Sequence, residues 1–238
     1  MKMAVKPKKQ WEHREVTYSS KHWQLLREYR EKAKRIMSAL VQCHLQALVH
    51  GSIARGDVNE RSDIDVFIAE PSSSFQVETA LARAGIPINA RLLVQATPVY
   101  TMKAHIVIDE QTSVSFPLMR MRKVEREFYR FGGEITLPQL EANVRVAGVD
   151  KRLMLIEPTA QGHLESSIIG REDYTAKILD VSVETVRDRV RALLKRDEVG
   201  RTGVFIKREL APEETFEMAL RKLADENPAV RRRLKSEA

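Results

Sequence analysis

The sequence predicts an α/β chain of the α+β kind: a mixed-sheet domain over residues 1–131, followed by a smaller helical domain over 132–238. Three observations carry this. A long segment with apolar residues at three- and four-residue steps precedes several short apolar runs bounded by Gly, Pro and Ser, too short for helices of that size. The Gly132-Gly133 pair then interrupts the chain, and beyond it two short helical patterns stand either side of a three-residue break. At 43% hydrophobic and 31% charged, the 238 residues suffice for a substantial core and are not compositionally disordered.

His22–Val41 reads as the long amphipathic helix, with Trp23, Leu26, Tyr29, Ala33, Ile36, Met37 and Leu40 on one face. Leu45–Val49 and Ile64–Ala69 read as strands. Ser73–Ala84 has helical spacing and is closed by Gly85, a residue suited to a left-handed helix end. Arg91–Ala96, His105–Ile108 and Thr112–Phe116 are expected as strands, the last two joined as a hairpin through residues 109–111. The basic, aromatic-bearing stretch Met119–Phe131 is expected to be helical. Further on, Leu153–Ile156 suggests a strand and Pro158–Gly162 a turn.

Charge is unevenly spread. Residues 1–35 hold eleven Lys or Arg against four Glu, a balance of +7; residues 36–186 hold 15 against 19, or −4; residues 187–238 hold 14 against 10, or +4. Basic ends and an acidic middle suit polyanion contacts at the ends and carboxylates for a cation at the centre, or a solvated surface. Nothing approaches the roughly 18 uncharged residues of a membrane span, so no membrane partner is expected. The basic stretch Met1–Gln10 leads into Trp11, Glu12, His13 and Arg14 with no apolar run, which predicts no secretory signal. The single cysteine, Cys43, offers neither an internal disulfide nor a thiolate cluster and is expected as a buried apolar position. A cytoplasmic location follows as the expectation. Trp11 and Trp23 are read as packing residues, His50 as a strand-end residue, and the run Arg231–Arg233 as a solvated tail.

The stretch richest in chemistry is Val49-His50-Gly51-Ser52-Ile53-Ala54-Arg55-Gly56-Asp57, followed by Arg61-Ser62-Asp63-Ile64-Asp65-Val66-Phe67-Ile68. On a strand, Asp63 and Asp65 project to one side about 7 Å apart, while Ile64, Val66 and Ile68 face the other. Such a pair can hold Mg²⁺, which takes one or two carboxylates and keeps its other positions for water and substrate phosphates. Gly51 and Ser52 leave the preceding strand in a tight turn, where a missing side chain admits a phosphate to the backbone amides and a hydroxyl adds a donor. Either motif alone is commonly a plain turn or a solvated strand edge; the combination is more specific.

Ten residues separate Ser52 from Asp63. With that spacing the sequence resembles the Gly-Ser, Asp-x-Asp signature of the DNA polymerase beta nucleotidyltransferase superfamily, in its minimal form, over roughly residues 45–117. The resemblance implies that Gly51 and Ser52 hold the triphosphate and that Asp63 and Asp65 are catalytic and bind the metal. Arg55 is then either a nucleotide-phosphate contact or a structural partner of Asp57. The family usually carries a third carboxylate on a later strand. Ala96–Tyr100 and the hairpin to Val114–Pro117 are similar to the corresponding hairpin of class I CCA-adding enzymes, which puts Ser115 where that carboxylate would stand; Asp109, in the turn, is a second candidate metal ligand. The implied activity is Mg²⁺-dependent transfer of a nucleoside monophosphate from a nucleoside triphosphate, ATP foremost, to a hydroxyl on an RNA end or a protein side chain. The alternative is a nucleic-acid-binding regulator with a nucleotide-sensing, catalytically weakened transferase domain.

Tyr174–Arg196 looks like a helix-turn-helix: Ala176–Leu179, a break at Asp180-Val181-Ser182 with Ser182 as N-cap, then Val183, Val186, Val190, Leu193 and Leu194. Thr185, Arg187 and Arg191 on the other face are candidate contacts to RNA or DNA, with Val204-Phe205-Ile206 as a candidate wing strand. The competing expectation is a helical pair that only packs.

Overall fold

In a computed structural model, residues 13–71, 73–200 and 203–236 are described. The basic tail and Trp11 lie outside these residues. The chain forms two compact units, each assembled from separated segments: residues 1–32, 49–62 and 126–202 in the first, and 33–48, 63–125 and 203–238 in the second. The chain thus passes between units several times, where the sequence reading expected a single passage at 131/132. Helix α1 (Ser20–Gln42) begins in the first and ends in the second, burying Leu26, Ala33, Ile36, Met37 and Leu40 along the face the periodicity predicts.

The first unit contains strand β1 (Arg14–Thr17), the end of β2 (Ala47–His50), the short helix α2 (Ser52–Arg55), helix α4 (Lys123–Phe131) from its fourth residue, β7 (Glu134–Thr136), α5 (Leu137–Glu141), strands β8 (Gly148–Val149), β9 (Met154–Thr159) and β10 (Gly162–Ser167), and helices α6 (Glu172–Leu179) and α7 (Val183–Val199). Strands β1, β10, β9 and β8 form an antiparallel sheet in that order. The expected turn at 158–162 is narrower: β9 runs on through Pro158 and Thr159, and Gly162 already belongs to β10. A Cβ on Gly162 would lie 1.8 Å from the Val16 carbonyl oxygen, so the close approach of β1 requires glycine. Phe131, Leu153, Leu155, Ile168, Leu179, Val186, Val190 and Leu193 share one core cluster, which the α6–α7 pair closes.

The break between these two helices is the one expected. Asp180 takes a left-handed conformation (φ 50°) at the end of α6, and Ser182 accepts from the Thr185 amide to cap α7. Helix α4 is shorter than its sequence suggested, starting at Lys123 and leaving 119–122 non-helical.

The second unit contains β3 (Ile64–Ile68), α3 (Ser74–Arg83), β4 (Ala90–Gln95), β5 (Lys103–Val107), β6 (Thr112–Pro117), β11 (Ile206–Glu209), α8 (Phe216–Glu226) and α9 (Pro228–Lys235). Its strands follow the order β11-β4-β5-β6-β3; β3 and β6 are parallel and the other pairs antiparallel, a mixed sheet as predicted. Ser73 caps α3 by accepting from the Gln76 amide, and Gly85 follows with φ 62°. Ile64, Val66 and Ile68 are buried to within 1% on the inner side of β3, and Phe116 meets Phe216 of α8 edge-on at 5.6 Å between ring centroids.

Three expectations are corrected. The candidate wing strand is a sheet strand: Ile206–Glu209 pairs antiparallel with β4, extending the sheet of the second unit. Arg231–Arg233 is not a loose tail but part of α9, with Arg233 only 8% exposed. Cys43 is half-buried, and its carbonyl accepts from Gln76 Nε2.

Candidate functional site

Gly51 and Ser52 lie in the first unit, at the junction of β2 and α2. Gly51 holds φ 79° and ψ −144°, a conformation essentially reserved for glycine, and its amide donates to the Gly133 carbonyl at 2.9 Å. A Cβ there would meet no atom within 4 Å, so glycine is required by the backbone and not by crowding. The open space beside it suits approach of a phosphate, and Ser52 is half-buried next to it. His50, at the end of β2 as expected, meets Tyr129 edge-on at 4.8 Å.

The Arg55 side chain is held by its own loop and by Gly132. Its Nε and Nη2 donate to the two Asp57 carboxylate oxygens, both at 2.9 Å, and Nη1 donates to the Gly132 carbonyl at 2.6 Å. With the side chain 6% exposed, this fork fixes the loop. Burial alone would raise the Asp57 carboxyl, but the Arg55 charge and hydrogen bonds hold it below the usual carboxylate range. Arg30 plays a similar part, donating to the carbonyls of Ile53, Ala54 and Val144.

Asp63 and Asp65 lie in the second unit, at and just before β3, and both are half-buried while Ile64 and Val66 are fully buried. The alternation read from the sequence is therefore realised. The parallel register sets Asp65 opposite Ser113 of β6, whose hydroxyl donates to Asp65 Oδ1 at 2.9 Å. Ser115, expected at the position of the third carboxylate, lies two residues further along the same face of β6, in register with the buried Phe67. The residue facing Asp65 is thus Ser113. Asp109 sits in the β5–β6 turn, where its carboxylate accepts from the Gln111 amide at 3.1 Å. Among the described residues no cluster of three or more His, Cys, Asp or Glu is placed to hold a metal. A two-carboxylate set of this kind fits Mg²⁺ that completes its shell with substrate phosphates and water, but not an all-protein cage.

In sequence, His105 carries no sign beyond its strand: none of the six histidines stands at metal-ligand spacing from another. The antiparallel β5–β6 register places it opposite Ser115, on the sheet face that carries Asp65. Burial, reinforced by the Lys103 charge and opposed by Asp65, lowers it to about 4, so the imidazole is neutral at pH 7. The signal that could have found it is the period-2 pattern of β5 set against that of β6.

The candidate nucleic-acid residues separate into two kinds. Thr185 is 1% exposed, and its hydroxyl donates to the Glu127 carboxylate at 2.5 Å beside Ser182, so it belongs to the joint between α4 and α7 and not to an outer face. Arg187 and Arg191 are exposed, Arg187 within 3.3 Å of Asp173.

Residues 30–126 match the nucleotidyltransferase domain family. That match spans Gly51, Ser52, Asp63, Asp65 and the β5–β6 hairpin, covers less than half of the 238 residues, and ends before α6 and α7. No curated protein matches the chain in sequence. Among the described residues no helix is long and apolar enough to cross a membrane.

Proposed function

We propose that the chain transfers a nucleoside monophosphate from a nucleoside triphosphate, ATP foremost, to a hydroxyl acceptor on an RNA end or a protein side chain. The observation that carries this reading is the Asp63/Asp65 pair on one side of β3, with Asp65 oriented by Ser113, inside the segment similar to nucleotidyltransferase domains. Asp63 and Asp65 would hold Mg²⁺, which when bound supplies charge neutralisation at the attacking and leaving oxygens. Gly51 and Ser52 would hold the triphosphate through backbone amides and the Ser52 hydroxyl. The acceptor oxygen attacks the α-phosphorus, the bond to the bridging oxygen breaks, pyrophosphate leaves, and the hydroxyl proton passes to water. Arg55 serves the turn and takes no part in this chemistry.

The C-terminal helix pair would bring nucleic acid to the protein through Arg187 and Arg191. A second reading, a regulator that binds nucleotide without transferring it, is favoured by one observation: the β6 residues registered with Asp65 and Phe67 are Ser113 and Ser115, hydroxyls that cannot take a proton as a third carboxylate would. Incubation with each labelled triphosphate, Mg²⁺ and total cellular RNA or protein separates the two. Transferred label that disappears in Asp63→Asn/Asp65→Asn supports transfer; Mg²⁺-dependent nucleotide binding with no transferred label overturns it in favour of the regulator.

A further inference from the structure

A cavity of about 670 Å³ lies within the second unit, walled by the loop after β4, the 118–123 segment that leads into α4, and α9. Arg120, Arg122, Lys123, Arg232 and Arg233 all line it, with the exposed Val99 at its edge, and among the described residues no carboxylate does. Beneath them Glu125 is 3% exposed; it accepts from the Thr101 amide at 2.6 Å and from Arg122 Nε at 3.1 Å, and stands 3.6 Å from Arg233. Burial would raise its carboxyl, yet these hydrogen bonds and the Arg122 charge hold it low, so it is ionised at neutral pH. Five basic side chains thus gather around one concavity, with Glu125 beneath Arg122 and Arg233.

Basic side chains around a concave wall attract an anion, because the low-dielectric wall focuses their field into the opening. The wall is also built in advance. Arg233 donates to Thr101 Oγ1 at 2.9 Å and to the Arg120 carbonyl at 2.5 Å, tying α9 to the two other walls. The Arg122 guanidinium lies over the Tyr100 ring, 4.7 Å from its centroid, which fixes its plane. Arg120 and Arg232 are exposed and contribute charge to the opening.

We propose that this pocket is a second anion site, which binds the phosphate groups of a ligand carrying two or more of them. Guanidinium forks match phosphate oxygens in pairs, and the volume lies in the range of small-molecule sites. The pocket is separate from the carboxylate pair: β6 runs from Ser113, opposite Asp65, to Pro117 before the pocket segment begins, a span of about 13 Å along the strand. A free polyphosphate and the phosphodiester backbone of a single strand share this chemistry, and the experiment distinguishes them.

Titration of the full chain with tripolyphosphate, and separately with a short single-stranded oligonucleotide, is done by calorimetry in EDTA so that metal-dependent binding is silent. The wild-type chain is expected to bind at least one probe. Arg120→Gln with Arg232→Gln should weaken that binding about tenfold or more and lower its salt slope by about two, with an unchanged melting temperature because both side chains are exposed. Asp63→Asn/Asp65→Asn should leave it untouched, so failure here is distinct from failure of the transfer reading. Tripolyphosphate binding that the oligonucleotide does not exceed identifies a small polyphosphorylated ligand; tighter oligonucleotide binding that grows with length identifies a strand. Absence of binding to either probe, or equal affinity in the double variant, overturns the site.

Discussion

Replacing Arg55 by alanine tests a structural role for this arginine. The substitution removes two hydrogen bonds of 2.9 Å to Asp57 and one of 2.6 Å to the Gly132 carbonyl, in a pair whose side chains are 6% and 13% exposed. Breaking a buried ion pair by deleting one partner costs about 3–5 kcal/mol, because the remaining charge keeps its desolvation penalty without its compensation. At about 2–4 °C per kcal/mol for a chain of this size, the melting temperature should fall by roughly 6–20 °C. Arg55→Lys should recover only part of this, since a single ammonium cannot span both carboxylate oxygens and the Gly132 carbonyl together. Calorimetric melting of the three proteins, paired with titration of a nucleoside triphosphate and Mg²⁺, reads both roles at once. A melting temperature within about a degree of wild type, together with a large loss of triphosphate affinity, would show that Arg55 is a phosphate contact and that its pairing with Asp57 contributes little.

Four further outcomes follow from the same geometry. Gly51→Ala should cost about 1–3 kcal/mol through its backbone conformation alone, measurable as a lowered denaturation midpoint, because a Cβ there meets nothing. Ser113→Asp places a carboxylate directly across from Asp65 and should raise Mg²⁺ affinity in a metal titration, whereas Ser115→Asp, opposite buried Phe67, should lower the melting temperature by about 10 °C or more without that gain. The Asp57 carboxyl is held below its ordinary value, so its stabilisation is complete above the unfolded carboxylate pKa of about 4 and is lost as pH falls through the lower folded value; acid melts of Asp57→Asn should lack that component. Arg187→Glu with Arg191→Glu should weaken duplex or structured RNA binding and flatten the salt slope by about two, while unchanged polyanion affinity would assign α6 and α7 to packing.

What was legible in the sequence is what local rules determine. Residue periodicity found α1, α3, β3 and the β5–β6 hairpin because each buries one face, and Ser182, which reads as an N-cap, does cap. Strand β10 escaped because Gly162, His163 and the run Glu165–Ser167 read as polar, although all but Leu164 are buried; the strand lies between β1 and β9 and holds its polar groups in contacts made by distant chain, such as Tyr18 Oη to His163 Nδ1 at 2.7 Å. The partner of β11 could not be read either, since its pairing with β4 joins residues more than a hundred positions apart.

The same division explains the site. Asp63 and Asp65 could be placed because a period of two puts both on one side of a strand whichever neighbour it acquires. What stands opposite them depends on register: the β3–β6 pairing sets Ser113 across from Asp65 and Ser115 across from Phe67 on the same face. Thr185 fails for a related reason. Its place on the polar side of α7 predicts exposure, yet Glu127, fifty-eight residues earlier, supplies an acceptor that makes burial of the hydroxyl affordable in free energy. An arginine, serine or threonine beside a motif therefore says little about function until its partner across the fold is known, whereas a pair of carboxylates that share one side of a strand does not depend on that knowledge.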